Sequence, residues 1–270
     1  MTQAPKNLAE STDLVFLHGW GMNQGIWQPF SKRLQQAIND SAHLSHIKVS
    51  AIDLPGYGLE HNASLNDYSI ESVSAWLATK LSKPSIVVGW SMGGLIAQYL
   101  ASNQHPAVIG HIQIASSPCF VEQADWPGIK PNVLAIFAKQ LKIDHEVLLK
   151  RFLALQNMGL NKPKFSVNTM LSLITQYPKS SQSALEKSLA LLQSTDLRAS
   201  LANIEVPCLR IYGRLDGLVP TKAAGKIKAL SVNSQSVVIE HASHAPFLSH
   251  PESCLNAILP FLEQKFGLSS

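Results

Sequence analysis

A short glycine-rich segment, residues 89–93 with the sequence Gly-Trp-Ser-Met-Gly, places the strongest constraint on the fold. It follows residues 85–88, of which 86–88 are apolar, and precedes residues 95–101, which have the composition of a helix. A serine between two glycines at this spacing is typical of a tight turn from strand to helix, where larger flanking side chains would block the close approach of the two elements. We therefore expect a buried strand, a strained turn at Ser91 and a packed helix, which together need a sheet covered by helices.

Short runs rich in Val, Ile and Leu recur along the chain, and each is followed by a longer polar or amphipathic stretch. The runs are residues 14–17, 47–52, 85–88, 111–115, 208–212 and 236–239. Alternation of strands with helices predicts a mostly parallel sheet, because parallel neighbours need a crossover connection. The fold class that we expect is α/β, with a mostly parallel central sheet flanked by helices.

The strand pattern stops between residues 115 and 208. Apolar side chains recur there at helical spacing, and prolines and one glycine break the pattern. The helical stretches are residues 133–141, 147–155, 167–174 and 184–192, and the breakers are Pro131, Gly159, Pro163 and Pro178. We predict a helical cap (lid) at residues 119–190, inserted into a core formed by residues 1–118 and 191–270.

The composition excludes several classes of protein. The chain has 270 residues and is 46% hydrophobic and 15% charged, values typical of a globular protein with its own core and not of a disordered chain. Its three cysteines, Cys119, Cys208 and Cys254, lack the spacing of a zinc site or a disulfide framework. Residues 1–13 contain no apolar run of signal-peptide length, and polar residues and glycines interrupt the most apolar window, residues 85–101. We expect a soluble cytoplasmic protein that makes no membrane contact.

The net charge of +4 is concentrated in the predicted cap. Residues 119–190 contain nine Lys and Arg against five Asp and Glu, and the rest of the chain is neutral by the same count. An excess of this size is too small for a nucleic-acid surface, but it favours an acidic partner. The chain has no metal-ligand pattern, dinucleotide-binding motif or phosphate-binding loop. We expect no metal, no cofactor and, because no interface is indicated, a monomer.

Ser91 is our candidate nucleophile, and a serine hydroxyl needs a base within hydrogen-bond reach and an acid that orients this base. In the strand-turn-helix context the three residues follow the order Ser, Asp or Glu, His along the chain. Asp216 follows the run 208–212 and His244 follows the run 236–239, so both are expected with Ser91 at the carboxyl edge of the sheet. We predict these three residues as a catalytic triad.

Two residues compete for the roles of base and acid. His241 lies three residues before His244, and we favour His244 because His241 is closer to the end of the strand. Asp53 is the rival acid, but it precedes Ser91 along the chain, and the expected role of its side chain is to shape a turn.

Residues 18–21, with the sequence His-Gly-Trp-Gly, follow the first apolar run. Backbone N–H groups that bind an oxyanion are expected from Met92, the residue after the nucleophile, and from Trp20 in this first loop. We assign His18 no role in the chemistry, because a histidine in such a motif more often holds the loop by packing and hydrogen bonding.

Residues 18–21, 53–58 and 89–94, together with the loops around Asp216 and His244, resemble the α/β-hydrolases. The resemblance implies an α/β-hydrolase fold with an inserted helical cap. A closer similarity, to family members that hydrolyse the methyl ester of pimeloyl-[acyl-carrier protein], extends over residues 115–120, 126–131, 151–156, 212–220 and 244–247. It implies a serine carboxylesterase of biotin biosynthesis that releases methanol and free pimeloyl-[acyl-carrier protein].

The same resemblance implies a substrate site made of Trp20, Ser91, Met92, Phe152, Leu153, Ala154, Leu155, Gln156 and His244. It also implies contact between basic cap residues and the acidic acyl carrier protein, for which Arg151 is the directly matching position. At the other basic positions of the family this chain has Val147, Lys164 and Asn168, so part of the charge is lost, and we expect Lys150 and Lys162 to compensate. A further departure lies at the N-terminus, which has a poor strand pattern and is expected to reduce the first strands of the sheet.

Other functions are compatible with these residues. The triad and cap would equally serve a general short-chain carboxylesterase or a hydrolase of carbon–carbon bonds, and the cap pocket decides between them. A non-catalytic binding module of the hydrolase fold is a third interpretation, which the presence of all three candidate catalytic residues disfavours.

Overall fold

Six strands form one sheet in the computed structural model, which describes residues 11–231 and 233–268 apart from the side chains of residues 163–165. The strands are β1 Thr12–Leu17, β2 Ile47–Ile52, β3 Ser85–Trp90, β4 Val108–Ile114, β5 Cys208–Gly213 and β6 Ser234–Ile239. Their order in the sheet is β2-β1-β3-β4-β5-β6, and each pair of neighbours is parallel. The predicted α/β fold with a parallel central sheet is confirmed.

The expectation of reduced first strands concerns the N-terminal segment, of which residues 1–10 lie outside the described part of the chain. Strand β1 begins at Thr12, two residues before the predicted run. It is an inner strand, paired along its length with β2 on one side and β3 on the other.

Helices cover the sheet and fill the long interval between β4 and β5. In the described residues they are α1 Gln28–Asp40, α2 Ile70–Ala78, α3 Met92–Ser102, α4 Pro131–Ile143, α5 His145–Gln156, α6 Pro163–Ile174, α7 Gln182–Ser194, α8 Lys222–Leu230, α9 Pro246–Ser249 and α10 Pro251–Phe266. None of these described helices has the length and apolar character that a bilayer crossing requires.

Both faces of the sheet are buried, which explains the continuous apolar runs in the sequence. All six residues of β3 are buried. Ile86 and Val88 belong to one apolar cluster with Phe30 of α1, and Val87 belongs to a second cluster with Leu95 of α3. Successive residues of a strand point to opposite faces, so a strand with two covered faces shows no polar alternation.

Helices α4 to α7 occupy the interval where the strand pattern stops. Two of the predicted breakers begin helices instead of ending them, since Pro131 and Pro163 are the first residues of α4 and α6. Proline is favoured there because the first helical N–H has no internal partner to lose. Asp144 caps α5 by accepting hydrogen bonds from the N–H groups of Glu146 and Val147, each at 3.0 Å.

Two buried hydrogen bonds fix α7 to the rest of the molecule. The indole Nε1–H of Trp20, in the loop after β1, donates to the carbonyl of Leu185 at 2.9 Å. The hydroxyls of Tyr57, in the loop after β2, and Ser188 are 2.5 Å apart. Burial raises the pKa of Tyr57, so its hydroxyl keeps its proton. The loops at the carboxyl edge of the sheet thus hold one of the inserted helices over that edge.

Candidate active site

Ser91 occupies the turn between β3 and α3 with a φ of 54° and a ψ of −118°. A residue other than glycine is strained in this conformation. The neighbouring glycines make the turn possible: a β-carbon on Gly89 would collide with the backbone of Gly93, and one on Gly93 would collide with the carbonyl of Leu17. Strand and helix therefore approach closely, and Ser91 lies at the carboxyl edge of the sheet.

Asp216 and His244 form a buried pair at the same edge. The Nδ1–H of His244 donates to Oδ2 of Asp216 at 2.8 Å. The other carboxylate oxygen, Oδ1, accepts the backbone N–H groups of Leu218 at 2.8 Å and Val219 at 3.0 Å. With both oxygens engaged the carboxylate has one orientation, and it selects the imidazole tautomer whose Nε2 carries no proton.

The main chain of His244 is held beside the turn. Its N–H donates to the carbonyl of Gln156 at 3.2 Å, and its carbonyl accepts the indole N–H of Trp90 at 2.7 Å. Nε2 of His244 is buried without a hydrogen-bond partner among the described residues, so its bond to Ser91 is not formed here. That bond is often long in a free enzyme and tightens when substrate is present. The pair therefore offers an oriented acceptor next to the candidate nucleophile.

The two predicted oxyanion donors flank Ser91. Met92 is the first residue of α3, where a helix leaves N–H groups without internal partners. Trp20 follows Gly19, which packs so closely on the turn that an added β-carbon would lie 3.2 Å from Cβ of Ser91. Within the described residues no hydrogen bond engages the backbone N–H of Trp20 or of Met92. Two unengaged N–H groups beside one serine are suited to binding an oxyanion.

The competing residues lie elsewhere. Oδ1 of Asp53 accepts the N–H of Gln24 at 2.6 Å and Oδ2 accepts the N–H of Leu59 at 2.7 Å, so this carboxylate joins two loops. Burial lowers the pKa of His18, which accepts a backbone N–H through Nε2 at 3.0 Å and is held neutral. His241 is exposed. The structure brings Asp216, and not Asp53, to the imidazole of the candidate base.

Residues 152–155 of the predicted substrate site point in different directions from α5. Phe152 packs edge to face on Trp20, with ring centroids 5.1 Å apart. Leu153 is buried in the other apolar cluster, Ala154 is exposed and Leu155 is partly buried. Phe152 is thus the member of this group that contacts the loop of the oxyanion donors.

Gln156, at the end of α5, is 1% exposed, and neither atom of its amide has a hydrogen-bond partner among the described residues. An unsatisfied buried polar group costs about 1–3 kcal/mol, so the residue is suited to a partner that the protein itself does not supply. Its carbonyl is bonded to the main chain of His244, which places Gln156 next to the candidate base. Sequence reasoning reached Gln156 only through family resemblance, because no local pattern marks a buried amide without partners.

A cavity of about 260 Å³ lies between the inserted helices and the loop after β1. Trp20 forms part of its wall, so the cavity adjoins the loop of the oxyanion donors. Its other apolar walls are Leu149, Leu171, Ile174 and Leu185, and its charged rim includes Glu146, Lys150 and Lys179. A cap pocket is expected from the sequence, but its walls are not, because they come from α5, α6, α7 and a core loop, which are far apart along the chain.

The predicted carrier-contact residues belong to α5, α6 and the segment between them. Lys150 and Arg151 are exposed on α5, and Lys162 is exposed directly before α6. None of these three forms a salt bridge with a described residue. Lys164 lies in the first turn of α6, and its side chain is outside the described part of the structure. The described residues also include no group of three or more His, Cys, Asp or Glu side chains that could hold a metal ion.

Comparison with known proteins gives a consistent picture. The sequence model of the family described as "alpha/beta hydrolase fold" matches residues 13–251. A relative named pimeloyl-[acyl-carrier protein] methyl ester esterase, from Pectobacterium carotovorum subsp. carotovorum, is 40% identical over 94% of this chain and 96% of its own length. A protein of the same name from Aliivibrio fischeri is 39% identical over 94% of this chain and 95% of its own length.

Solved structures are similar in fold. An esterase from Exiguobacterium antarcticum has a TM-score of 0.80 at 22% identity, covering 94% of this chain and 92% of that chain. A bromoperoxidase from Bacillus anthracis has a TM-score of 0.79 at 19% identity, with coverage of 94% and 92%. At these identities the similarity concerns the fold alone.

We predict that Asp216→Asn lowers kcat by a factor of roughly 10³–10⁴, because an amide at position 216 favours the wrong tautomer of His244. The matched control is Asp53→Asn, since Asp53 is also buried and also accepts backbone hydrogen bonds. Hydrolysis of a p-nitrophenyl ester, measured on protein whose folding is verified by circular dichroism, compares the two variants. A larger loss of kcat in Asp53→Asn than in Asp216→Asn would identify Asp53 as the acid.

Proposed function

This chain belongs to the alpha/beta hydrolase fold family, and from that premise we propose that it is the serine carboxylesterase that hydrolyses the methyl ester of pimeloyl-[acyl-carrier protein] in biotin biosynthesis. Its relatives of that name are 38–40% identical to it over nearly the whole chain, inserted helices included. Cap segments of this fold vary with substrate, so similarity there supports a shared substrate more strongly than similarity in the core.

The main support for a serine hydrolase is the oriented imidazole of His244 in the proposed site with Ser91. His244 is buried, its Nδ1–H is bonded to Asp216 at 2.8 Å, and its Nε2 has no partner among the described residues. These are the requirements for a general base that takes the proton of a serine hydroxyl at neutral pH.

In the proposed first half-reaction Nε2 of His244 takes the hydroxyl proton of Ser91 while the serine oxygen attacks the ester carbonyl carbon. The carbonyl oxygen becomes an oxyanion, which the N–H groups of Trp20 and Met92 stabilise. The C–O bond to the methoxy group then breaks, His244 returns the proton to it, and methanol leaves. Asp216 stabilises the imidazolium without taking up a proton.

The second half-reaction repeats these steps with water. His244 takes a proton from a water molecule, and the resulting hydroxide attacks the acyl-enzyme carbonyl. The bond to Ser91 breaks, the proton returns to the serine oxygen, and the free carboxylic acid on its carrier is released. Each step uses residues of this chain, and none calls for a cofactor.

We propose residues 119–190 as a cap over the active site and residues 1–118 and 191–270 as the core. The hydrogen bond from Trp20 to Leu185 supports the position of the cap over the site, because it joins α7 to the loop of the proposed oxyanion donors. Phe152 packs on the same indole. In this arrangement Trp20, Met92, Phe152 and Gln156 form the acyl site, in which Gln156 supplies the polar contact, whereas Leu153 and Ala154 point away from it.

We predict that Gln156→Leu raises KM for the ester substrate roughly five- to tenfold, the loss expected from one hydrogen bond of about 1 kcal/mol. The same change should leave the thermal midpoint unchanged or raise it, because it removes a buried amide without partners. Asn157→Leu is the matched control: this neighbouring amide is also buried but donates to the carbonyl of Leu153 at 2.7 Å, so its loss should lower the midpoint. A lower midpoint and unchanged KM in Gln156→Leu would assign Gln156 to the fold instead.

We propose that the carrier docks on α5 and the start of α6, where Lys150, Arg151 and Lys162 are exposed and Lys164 is the fourth basic residue in the sequence. The positive balance of residues 119–190 supports this choice, and Lys150, Arg151 and Lys162 form no salt bridge with a described residue. Such charge raises the encounter rate with an acidic partner and fixes its orientation.

A cytoplasmic location fits the three cysteines, which are all free and buried.

We predict that Arg151→Glu with Lys162→Glu raises KM for the carrier-linked ester and leaves KM for p-nitrophenyl butyrate within about twofold. The increase should shrink as salt is added, since the screening length is about 10 Å at 0.1 M. Lys32→Glu with Lys48→Glu is the control, because it makes the same change in net charge at exposed positions outside the cap. Equal effects of the two double variants, or an effect independent of salt, would reject docking on this face.

Growth without added biotin in a host that lacks this esterase tests the proposed function as a whole. The wild-type chain should restore growth, and Ser91→Ala should not. Purified protein should release methanol from the carrier-linked ester and react with a fluorophosphonate at Ser91. Turnover of free short esters without turnover of the carrier-linked ester would make the chain a general carboxylesterase, and failure of the fluorophosphonate to label it would make it a binding module.

A further inference from the structure

A cluster of buried polar side chains lies behind the turn at Ser91. It consists of Gln98 on α3, Gln113 on β4 and Arg210 on β5, which are 0%, 1% and 0% exposed. Arg210 has no salt bridge with a carboxylate among the described residues. A charge buried without a counter-ion costs stability, and an apolar side chain of similar volume would avoid that cost.

The hydrogen bonds of the cluster lead from Arg210 to the turn. Arg210 donates from Nη1 to Oε1 of Gln113 at 2.5 Å and from Nη2 to Oε1 of Gln98 at 3.2 Å. The amide nitrogen of Gln113 donates to the carbonyl of Gly94 at 3.0 Å and to Oε1 of Gln98 at 3.2 Å. Gly94 lies three residues after Ser91, in the first turn of α3.

Arginine can only donate hydrogen bonds, and it keeps its charge at any pH a protein tolerates. The guanidinium of Arg210 is therefore compatible with only one orientation of the Gln113 amide, in which the amide oxygen faces Arg210. The amide nitrogen must then face the carbonyl of Gly94. A reversed amide would set two oxygens against each other at Gly94 and two donors against each other at Arg210.

The carbonyl of Gly94 belongs to the part of α3 on which the site depends. A side chain just after β4 also holds the turn itself, since the hydroxyl of Ser116 donates to the carbonyl of Ser91 at 2.8 Å. Ser116 and Gln113 thus hold the carbonyls of Ser91 and Gly94, which lie before and after the N–H of Met92 along the chain. A small shift of this N–H or of the serine oxygen would misalign attack, and a displacement of about 1 Å can cost a hundredfold in rate.

We propose that Arg210 is a positioning residue of the nucleophile turn, which acts by fixing the orientation of the Gln113 amide against Gly94. The proposal rests on Ser91 as the nucleophile. This role explains why the core contains an arginine without a carboxylate partner. A carboxylate would neutralise the charge of Arg210, but only an amide can accept a hydrogen bond from Arg210 and also donate one to α3, the helix that begins at Met92.

The variant Gln113→Glu separates positioning from stability. A carboxylate at position 113 pairs with the charge of Arg210, which offsets the contact of its second oxygen with the carbonyl of Gly94, so the protein should stay folded. It has no N–H for the carbonyl of Gly94, so kcat for p-nitrophenyl butyrate should fall roughly ten- to a hundredfold with KM within about twofold. Labelling of Ser91 by a fluorophosphonate should slow in parallel.

Two further variants complete the experiment. Arg210→Met with Gln113→Leu replaces the charge and its acceptor together by apolar side chains, and it should lower kcat in the same way while the protein stays folded. Ser234→Ala is the control, because it removes a buried side-chain hydrogen bond at the far end of the sheet, to Ser231 at 2.8 Å, and should leave kcat unchanged.

Wild-type kcat in folded Gln113→Glu would overturn the proposal. So would loss of folding in both this variant and the apolar double variant, because the cluster would then serve the core and not the turn. Failure of the fluorophosphonate to label the wild-type protein is a separate outcome. It would overturn the assignment of Ser91 as the nucleophile, and with it both this proposal and the proposed esterase.

Discussion

The positive φ of Ser91 is the constraint on which the rest of the site depends. A non-glycine residue in this conformation costs of the order of 1–3 kcal/mol and persists only where its surroundings over-determine it. Here the N–H of Ser91 donates to Ile114 at 3.0 Å, and its carbonyl accepts hydrogen bonds from Gly94 at 3.0 Å and Ser116 at 2.8 Å. The strain is thus supported by β4 on one side and by the first turn of α3 on the other, and relaxation of the turn would break all three bonds.

A parallel sheet makes such a turn useful because it gathers loops from distant parts of the chain. Asp216 follows β5 and His244 follows β6, and the common direction of the strands places both loops at the edge where β3 ends. The proposed acid, Asp216, is fixed by two N–H groups of its own loop, and the main chain of the proposed base, His244, is fixed by hydrogen bonds to Trp90 and Gln156. The polar groups of the site are therefore oriented before a substrate binds, which lowers the reorganisation needed during reaction.

Local sequence patterns predicted the strands, the turn and the helices, because these elements are determined mainly by residues close together in the chain. The six apolar runs, the turn at Ser91 and the four inserted helices each follow from side chains that are neighbours in sequence, and the sheet confirms the predicted α/β fold. The ends of elements were less accurate: Pro163 was interpreted as a break and begins α6, because proline suits the first turn of a helix as well as a gap between helices. The preference for Asp216 over Asp53 came from chain order, and the bonds of Asp53 to two loops show a physical reason why that carboxylate does not reach His244.

Contacts between distant segments could not be predicted in the same way. Arg210 occupies a strand in which every residue is buried, and nothing in its neighbours along the chain indicates that two glutamines, 97 and 112 residues away, accept its hydrogen bonds. The sequence also cannot show that the amide of Gln156 lacks hydrogen-bond partners, because this depends on which groups the fold places around it. Such features appear only when burial and hydrogen bonding are known together.

Buried polar atoms without partners lie on both sides of the turn. Behind it, the amide oxygens of Gln98 and Gln113 are engaged by donors from Arg210, but Nε2 of Gln98 and Nε of Arg210 have no partner among the described residues. In front of it, Nε2 of His244 and both amide atoms of Gln156 lack partners among the described residues. Each unsatisfied group lowers the free energy of unfolding by about 1–3 kcal/mol. In the proposed active site, a substrate that supplies the missing donor and acceptor would recover this free energy on binding, and a ligand without them would not. Selectivity for substrate and reduced stability of the free protein would then arise from the same few atoms, those of His244 and Gln156.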